Sequence, residues 1–189
     1  MIEMPEALPQ ASRQAVTWKH RVLKLIYPWA MWMRNPLRHR LGQMSIGVCA
    51  LIFKTGAETD AKTDGGRNVL LVRHSYRPGW CLPGGGMQRG EVPAVALARE
   101  LREEVGLELT APPLLFQVYL QSWFGMSDYP LLYVIDADAG MRGTAQVTGD
   151  LEILEVAWFP VRALPADTDP GVRRRIAEWL GEQPPAASW

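Results

Sequence analysis

Hydrophobic residues fall in short dense runs along this chain. MSIGVCALIFK (residues 44–54) and RNVLLVRHSY (67–76) are rich in Val, Ile and Leu and flank a polar segment, TGAETDAKTDGGR. Runs of this length and β-branched content predict two strands joined by a loop. A strand-like WCLPGG (80–85) follows. LLFQVYLQSWF (114–124) and YPLLYVIDA (129–137) predict a second pair, with a turn around Gly125 to Asp128, and EVAWFPV (155–161) extends the sheet. Helical spacing appears twice. Pro93 suits a first helical turn and Gly106 the position past the end, predicting a helix over 93–105. DPGVRRRIAEWL predicts another, with Asp169 as cap and Pro170 at its first position, before a GEQPPAASW tail. Strands and helices do not alternate regularly, so a mixed sheet with helices packed on it is expected rather than a doubly wound fold.

An advance of about 100° per residue puts Ala94, Ala98, Leu101 and Val105 on one face of the first helix, and Glu100, Glu103 and Glu104 on another. Arg99 and Glu103 make a favourable i,i+4 pair, whereas Glu100 and Glu104 are like charges that cost a few tenths of a kcal/mol. A solvated helix face tolerates this. The alternative is a cation platform, because magnesium is commonly held by a few carboxylates together with substrate phosphates. Just upstream, Gly84, Gly85 and Gly86 allow positive φ and close approach of backbone to a ligand, and Pro83 restricts the entry. By itself such a run is a hairpin corner.

With 189 residues the chain can bury a core without staples. Cys49 and Cys81 are isolated, which argues against a zinc ribbon or a disulfide framework and fits a reducing, cytoplasmic setting. MIEMPEALPQ lacks the pattern of a secretory signal and reads as a disordered lead. Net charge is zero, yet no acidic residue lies between Glu6 and Glu58, where Arg13, Lys19, Arg21, Lys24, Arg34, Arg38, Arg40 and Lys54 supply eight cations. Residues 1–40 therefore form a basic, aromatic extension, and 41–189 the main domain with its carboxy-terminal helix and tail.

Gly85, five residues, Glu91, seven residues, then Arg99-Glu100-Leu101-Arg102-Glu103-Glu104-Val105-Gly106-Leu107 match every fixed position of G-x5-E-x7-R-E-U-x-E-E-x-G-U, where U is a bulky aliphatic residue. This stretch resembles the signature box of the Nudix hydrolases, and nine fixed positions over 23 residues are far more specific than a lone glycine motif. LLVRHSYRPGWCLPGG and EILEVAWFP resemble the family's flanking strands, so the similarity spans roughly residues 44–165.

The resemblance implies an α/β/α sandwich around a mixed β-sheet and hydrolysis of a nucleoside diphosphate linked to another moiety. It implies magnesium or manganese (Mg2+ or Mn2+) at Glu100, Glu103 and Glu104, with Arg99 orienting those carboxylates. Glu91 would support the loop and Gly85 would shape the turn, its backbone and that of Gly86 facing substrate. The attacking group would be water, and the base one of Glu100, Glu103, Glu152 or Glu155. Glu152 is favoured, as a catalytic position, because a glutamate recurs there in similar proteins. Nucleoside triphosphates, nucleotide sugars and dinucleoside polyphosphates all fit as substrates. The alternative is a non-catalytic nucleotide-binding or sensing module of the same fold.

Arg73 and Arg77 precede the glycines and offer forked donors to phosphate. Tyr76, Trp80, Trp123 and Phe124 are candidates for base stacking, against the commoner role of packing the core. His20, His39 and His74 lack metal spacing, and no GxSxG or Cys-His arrangement offers a covalent nucleophile. WKHRVLKLIYPWAMWMRNPLRHR is too interrupted, by Lys24 and Pro28, to span a bilayer. Packing on the body or in a homodimer is its first expectation, and peripheral membrane contact of residues 18–40 the second. No nucleic-acid partner is expected.

Overall fold

The structure is a computed structural model; it describes residues 12–13, 18, 22, 25, 44–56, 66–123, 126–148 and 151–189. His20, His39 and Phe124, the side chains of Arg13, Trp123 and Met126, and the amino-terminal lead lie outside what is described.

In chain order the elements are β1 (Ser12–Arg13), β2 (Ser45–Thr55), β3 (Arg67–His74), β4 (Trp80–Cys81), β5 (Gly84–Gly86), α1 (Pro93–Val105), β6 (Glu108–Leu109), β7 (Leu114–Val118), β8 (Gln121–Trp123), β9 (Met126–Asp136), α2 (Ala137–Gly140), β10 (Met141–Arg142), β11 (Ile153–Pro160) and α3 (Pro170–Trp179). The main sheet runs β1-β11-β3-β2-β9-β7, with β4 on β3, β5 on β2 and β8 on β9. β2 and β9 pair in parallel from Ser45↔Asp128 to Phe53↔Asp136, and the other pairs are antiparallel, so the sheet is mixed.

Strand alternation sorts the core into two layers. Val48, Ala50 and Ile52 of β2 pack with Leu97, Leu101 and Val105 of α1, whereas Leu51 and Phe53 pack with Val172 and Ile176 of α3. One helix therefore covers each face, giving the expected sandwich. α1 begins at Pro93 and ends on Gly106, whose φ of 69° is left-handed, and Asp169 accepts from the Gly171 and Val172 amides to cap α3.

Three expectations are corrected. The core face of α1 is Ala96, Leu97, Leu101 and Val105, with Ala94 and Ala98 only half-buried, because the sheet contacts a different arc of the helix. Met126, Ser127 and Asp128, expected in the turn, are instead paired as strand with Trp123, Ser122 and Gln121. LLFQVYLQSWF is also two strands: the chain breaks at Tyr119 and Leu120, where the Tyr119 ring turns into the core.

The carboxy-terminal residues fold back on the sheet. Leu120 N–H donates to Ala187 and Trp189 N–H to Leu120, while the Trp189 ring meets Tyr119 edge-on at 5.5 Å. Beneath it the fully buried Arg175 donates to Glu178 (2.5 Å) and to the Ser188 carbonyl (3.0 Å), and lies 4.1 Å from the Tyr119 ring centroid. Glu178 also accepts from Tyr119 Oη and the Ala186 amide. At the other end β1 joins the edge of β11, and Ser12 Oγ accepts from Val147 N–H. The adjoining segment grips α1: Gln146 N–H donates to Val105 O and Thr148 Oγ1 to Glu103 O.

Glu178→Ala leaves the Arg175 charge buried without its partner, and the expected loss is about 3–5 kcal/mol in urea unfolding. A loss under about 1 kcal/mol would show that the pair does not hold α3 to the tail.

Candidate active site

The antiparallel register of β5 against β2 sets the glycines beside α1: Gly84 opposes Cys49, Gly85 opposes Val48 and Gly86 opposes Gly47. Gly84 has φ of 137°, and a Cβ there would overlap the Val48 carbonyl, so only glycine fits. Its N–H donates to Glu104 Oε2 at 2.8 Å. A Cβ on Gly85 would lie 2.6 Å from the Glu100 carboxylate, while none of the surrounding atoms comes within 4 Å of the same position on Gly86. The turn therefore lets the main chain come up against two helix carboxylates.

Those carboxylates differ in environment. Glu104 is 5% exposed, because it falls about 20° from Leu97 on the helix circumference and shares the sheet-facing arc. Burial pushes its carboxyl from 4.5 up to about 8; the Gly84 amide opposes this, and the charges of Glu100 and Glu152 add to it. Glu100 is also raised, first by burial, against the pull of Arg99. Glu103 is half-exposed.

Arg99 ties the group together. Its Nε and Nη2 donate to the two oxygens of Glu91 at 2.9 and 3.0 Å, its Nη1 to Glu100 at 2.8 Å and Glu103 at 3.2 Å, and Nη2 to the Gly86 carbonyl at 3.1 Å. Glu91 also accepts from the Gln88 amide, and Arg99 first, then that amide, hold its carboxyl below the usual range. The same bonds, led by that to Glu91, raise the Arg99 guanidinium further above its ordinary value.

Glu152 stands just ahead of β11. Its carbonyl accepts from the Ser75 amide at 2.7 Å, and its charge is felt at Glu104. Glu155 lies three residues further on, within β11 and opposite Arg73, 3.8 Å from Arg73 Nε. The two arginines diverge. Arg77 is exposed and its charge reaches Glu104, whereas Arg73 donates to Asp167 at 2.8 Å and lies over the buried Trp80 ring. Trp80 packs edge-on against Phe159 inside the core, and Tyr76 tilts against His74. Burial pushes the His74 imidazole down to about 3, and pushes the Cys49 thiol up to about 12 and that of Cys81 upward. These groups are held neutral and protonated respectively, unsuited to nucleophilic work.

Sequence reasoning brought Glu91, Arg99, Glu100, Glu103, Glu104, Gly85 and Gly86 to one place, and the structure joins them. It named Gly84 only as part of the glycine run, without the bond its amide donates to Glu104. Among the described residues no three carboxylate, thiol or imidazole groups converge on a point, since Arg99 draws Glu100 and Glu103 to itself. The donor set nevertheless fits a hard divalent cation. Glu100 and Glu104 are oxygen donors whose pKa values burial raises, that of Glu104 further by the charge of Glu100.

The family model for the NUDIX domain matches residues 59–180. The chain belongs to the Nudix family. It is similar to human 8-oxo-dGDP phosphatase NUDT18, 34% identical over 100 residues that make up 51% of this chain and 29% of that protein. It also resembles the nucleoside triphosphatase NudI of an Enterobacter species, 45% identical over 67 residues, or 34% and 43% of the two chains. The chain spans less than half the length of the curated relatives it matches. The fold agrees with that of a MutT Nudix hydrolase from Burkholderia pseudomallei, with a TM-score of 0.57 at 24% identity over 71% of this chain and 96% of the other. The E. coli ORF135 protein gives 0.55 at 22% identity, over 76% and 96%.

Two predictions follow from the geometry. Gly85→Ala displaces the Glu100 carboxylate without straining the backbone, so hydrolysis should fall about tenfold or more while the melting temperature stays within a few degrees. Equal losses of stability and rate would show a folding defect instead. Glu104 has its pKa raised in the folded state, so the folded chain keeps a proton that the unfolded chain has released. Its contribution to stability is full below the ordinary carboxylate value and is lost as pH rises to about 8. In chelator, the melting temperature should decline over that window in the wild type and decline less in Glu104→Gln; identical slopes would refute the assignment.

Proposed function

We propose that the chain hydrolyses a phosphoanhydride in a nucleoside diphosphate linked to another moiety, with Mg2+ or Mn2+ held by Glu100, Glu103 and Glu104. The observation that carries this reading is the buried Glu104 carboxylate, bonded to the Gly84 amide and crowded by the charges of Glu100 and Glu152. Carboxylates kept at such a cost in the seam between sheet and helix serve a purpose that packing alone does not supply. When bound, the cation supplies charge neutralisation at phosphate oxygens and a lowered pKa for the attacking water.

The chain's own residues do the rest. Arg99 fixes Glu100 and Glu103 and, through the Gly86 carbonyl, the turn on which the phosphates rest. Glu91 holds Arg99 in place with two bonds. Glu152 takes a proton from water at the rim of the site, a role supported by its charge being felt at Glu104. Arg77, exposed and within reach of the same field, binds phosphate, whereas Arg73 is engaged by Asp167 and is the weaker candidate. Residues 41–189 are the catalytic domain. The free thiols agree with a reducing cytoplasm.

The relatives' names, a phosphatase of 8-oxo-dGDP, a nucleoside triphosphatase and an RNA pyrophosphohydrolase, support a nucleotide-derived substrate cleaved between phosphates. The test is a panel of nucleoside di- and triphosphates, nucleotide sugars and dinucleoside polyphosphates with magnesium, read by product phosphate. Expected are hydrolysis that chelator abolishes and a loss of roughly a hundredfold in Glu104→Gln and in Glu103→Gln. Cleavage of none of the panel, or wild-type rates in the variants, would overturn the reading. Binding of a nucleotide without turnover would favour the sensing module.

A further inference from the structure

We propose that the face of β2 over Ser45, Gly47 and Cys49 is the groove that receives the nucleoside of the substrate, an inference that rests on the hydrolytic reading above. The strand register lays out one row across the sheet. Gly86 opposes Gly47, Gly47 opposes Pro130, and the Tyr119 amide donates to the Pro130 carbonyl. This row spans about 14 Å at the usual strand spacing, and glycine leaves its first two positions bare. A Cβ on Gly86 would meet no atom within 4 Å, and one on Gly47 only the Gly85 carbonyl, at an ordinary 3.5 Å. Glycine inside a strand weakens it, and it marks a bulge or a close approach by a ligand or a second backbone. The β2–β9 ladder runs through Gly47 without a shift, and Gly47 has no left-handed φ, so neither a bulge nor backbone conformation calls for glycine there. Room for a ligand does.

The surroundings of the row select the occupant. By alternation Ser45, Gly47 and Cys49 share the α3 side of the sheet with Leu51 and Phe53. The first three are half-buried and the last two buried, so this side is open only at the glycine end. Past β2 the row closes, where Pro130 is buried and the fully buried Tyr119 carries the Trp189 ring edge-on. On one bank Ser45 Oγ donates to Asp128 Oδ1 at 2.5 Å. A carboxylate has lone pairs for further donors, which the hydroxyls of a sugar and the N–H groups of a base supply. The charges of Arg77, Asp128 and Arg175 all reach Cys49, so the groove is polar-sided. A group joined to a diphosphate lying on Gly85 and Gly86 falls on Gly47, one strand over.

The test fills the groove in the full chain. Gly47→Val adds a side chain that suits a strand, so the melting temperature should stay within a few degrees. Binding is read by calorimetry with magnesium, using the α,β-methylene analogue of dGTP and, as a probe without a nucleoside, inorganic tripolyphosphate. Expected are binding of the analogue at least about tenfold weaker in Gly47→Val and severalfold weaker in Asp128→Asn, with tripolyphosphate bound as by the wild type. For a nucleotide that is cleaved, KM should rise by the same factor while kcat holds. No binding of the analogue by the wild type, equal affinity in wild type and Gly47→Val, or an equal loss for analogue and tripolyphosphate would overturn the proposal. The expected binding pattern in a chain that cleaves none of the substrate panel would strike the hydrolytic reading and leave the groove standing. Cleavage with an unchanged KM in Gly47→Val would strike the groove alone.

Discussion

The arrangement of this site depends on one hydrogen bond, from the Gly84 amide to the Glu104 carboxylate. It crosses the seam where β5 lies against α1, and it exists because Gly84 adopts a left-handed conformation that any side chain would obstruct at Val48. A carboxylate that is 5% exposed has few ways to be satisfied, and this one has a single main-chain donor. The strand pairing of Gly84 with Cys49, the glycine run and the position of the helix all serve to make that approach possible.

Arg99 is the complementary element. Where Glu104 is buried with little compensation, Glu91, Glu100 and Glu103 converge on one guanidinium whose planar fork can serve several acceptors at once. A lysine would bring the same charge without that geometry. The helix thus carries two kinds of carboxylate within one turn, one group ordered by a cation of the protein and one left short of counter-charge. That inequality is the electrostatic content of the site.

Much of this was legible from local signals. Pro93 and Gly106 mark the ends of α1, Asp169 and Pro170 open α3, and the spacing from Gly85 to Leu107 carries the family. What escaped depended on tertiary context. Helical periodicity orders the faces of α1 but does not say which arc meets the sheet, so Ala94 and Ala98 took the place of Ala96 and Leu97, and Glu104 was set on the acidic face rather than in the sheet-facing arc. The early start of β9 follows from its pairing with β8, to which β-propensity is blind. The return of the tail through Trp189 rests on contacts with Tyr119 and Arg175, about 70 residues and about 14 residues away in sequence, beyond the range of any local pattern.

The bracket formed by residues 146–148 has a mechanical consequence. It touches the end of α1 at Val105 and Glu103, and touches the amino-terminal strand through Ser12. Ser12 is also laid along β11, which begins directly after Glu152. A force or displacement applied ahead of Ser12 therefore has a continuous path of hydrogen bonds into the last turn of the carboxylate helix. The helix glutamates and Glu152, ahead of β11, are thus tied to the same short piece of backbone.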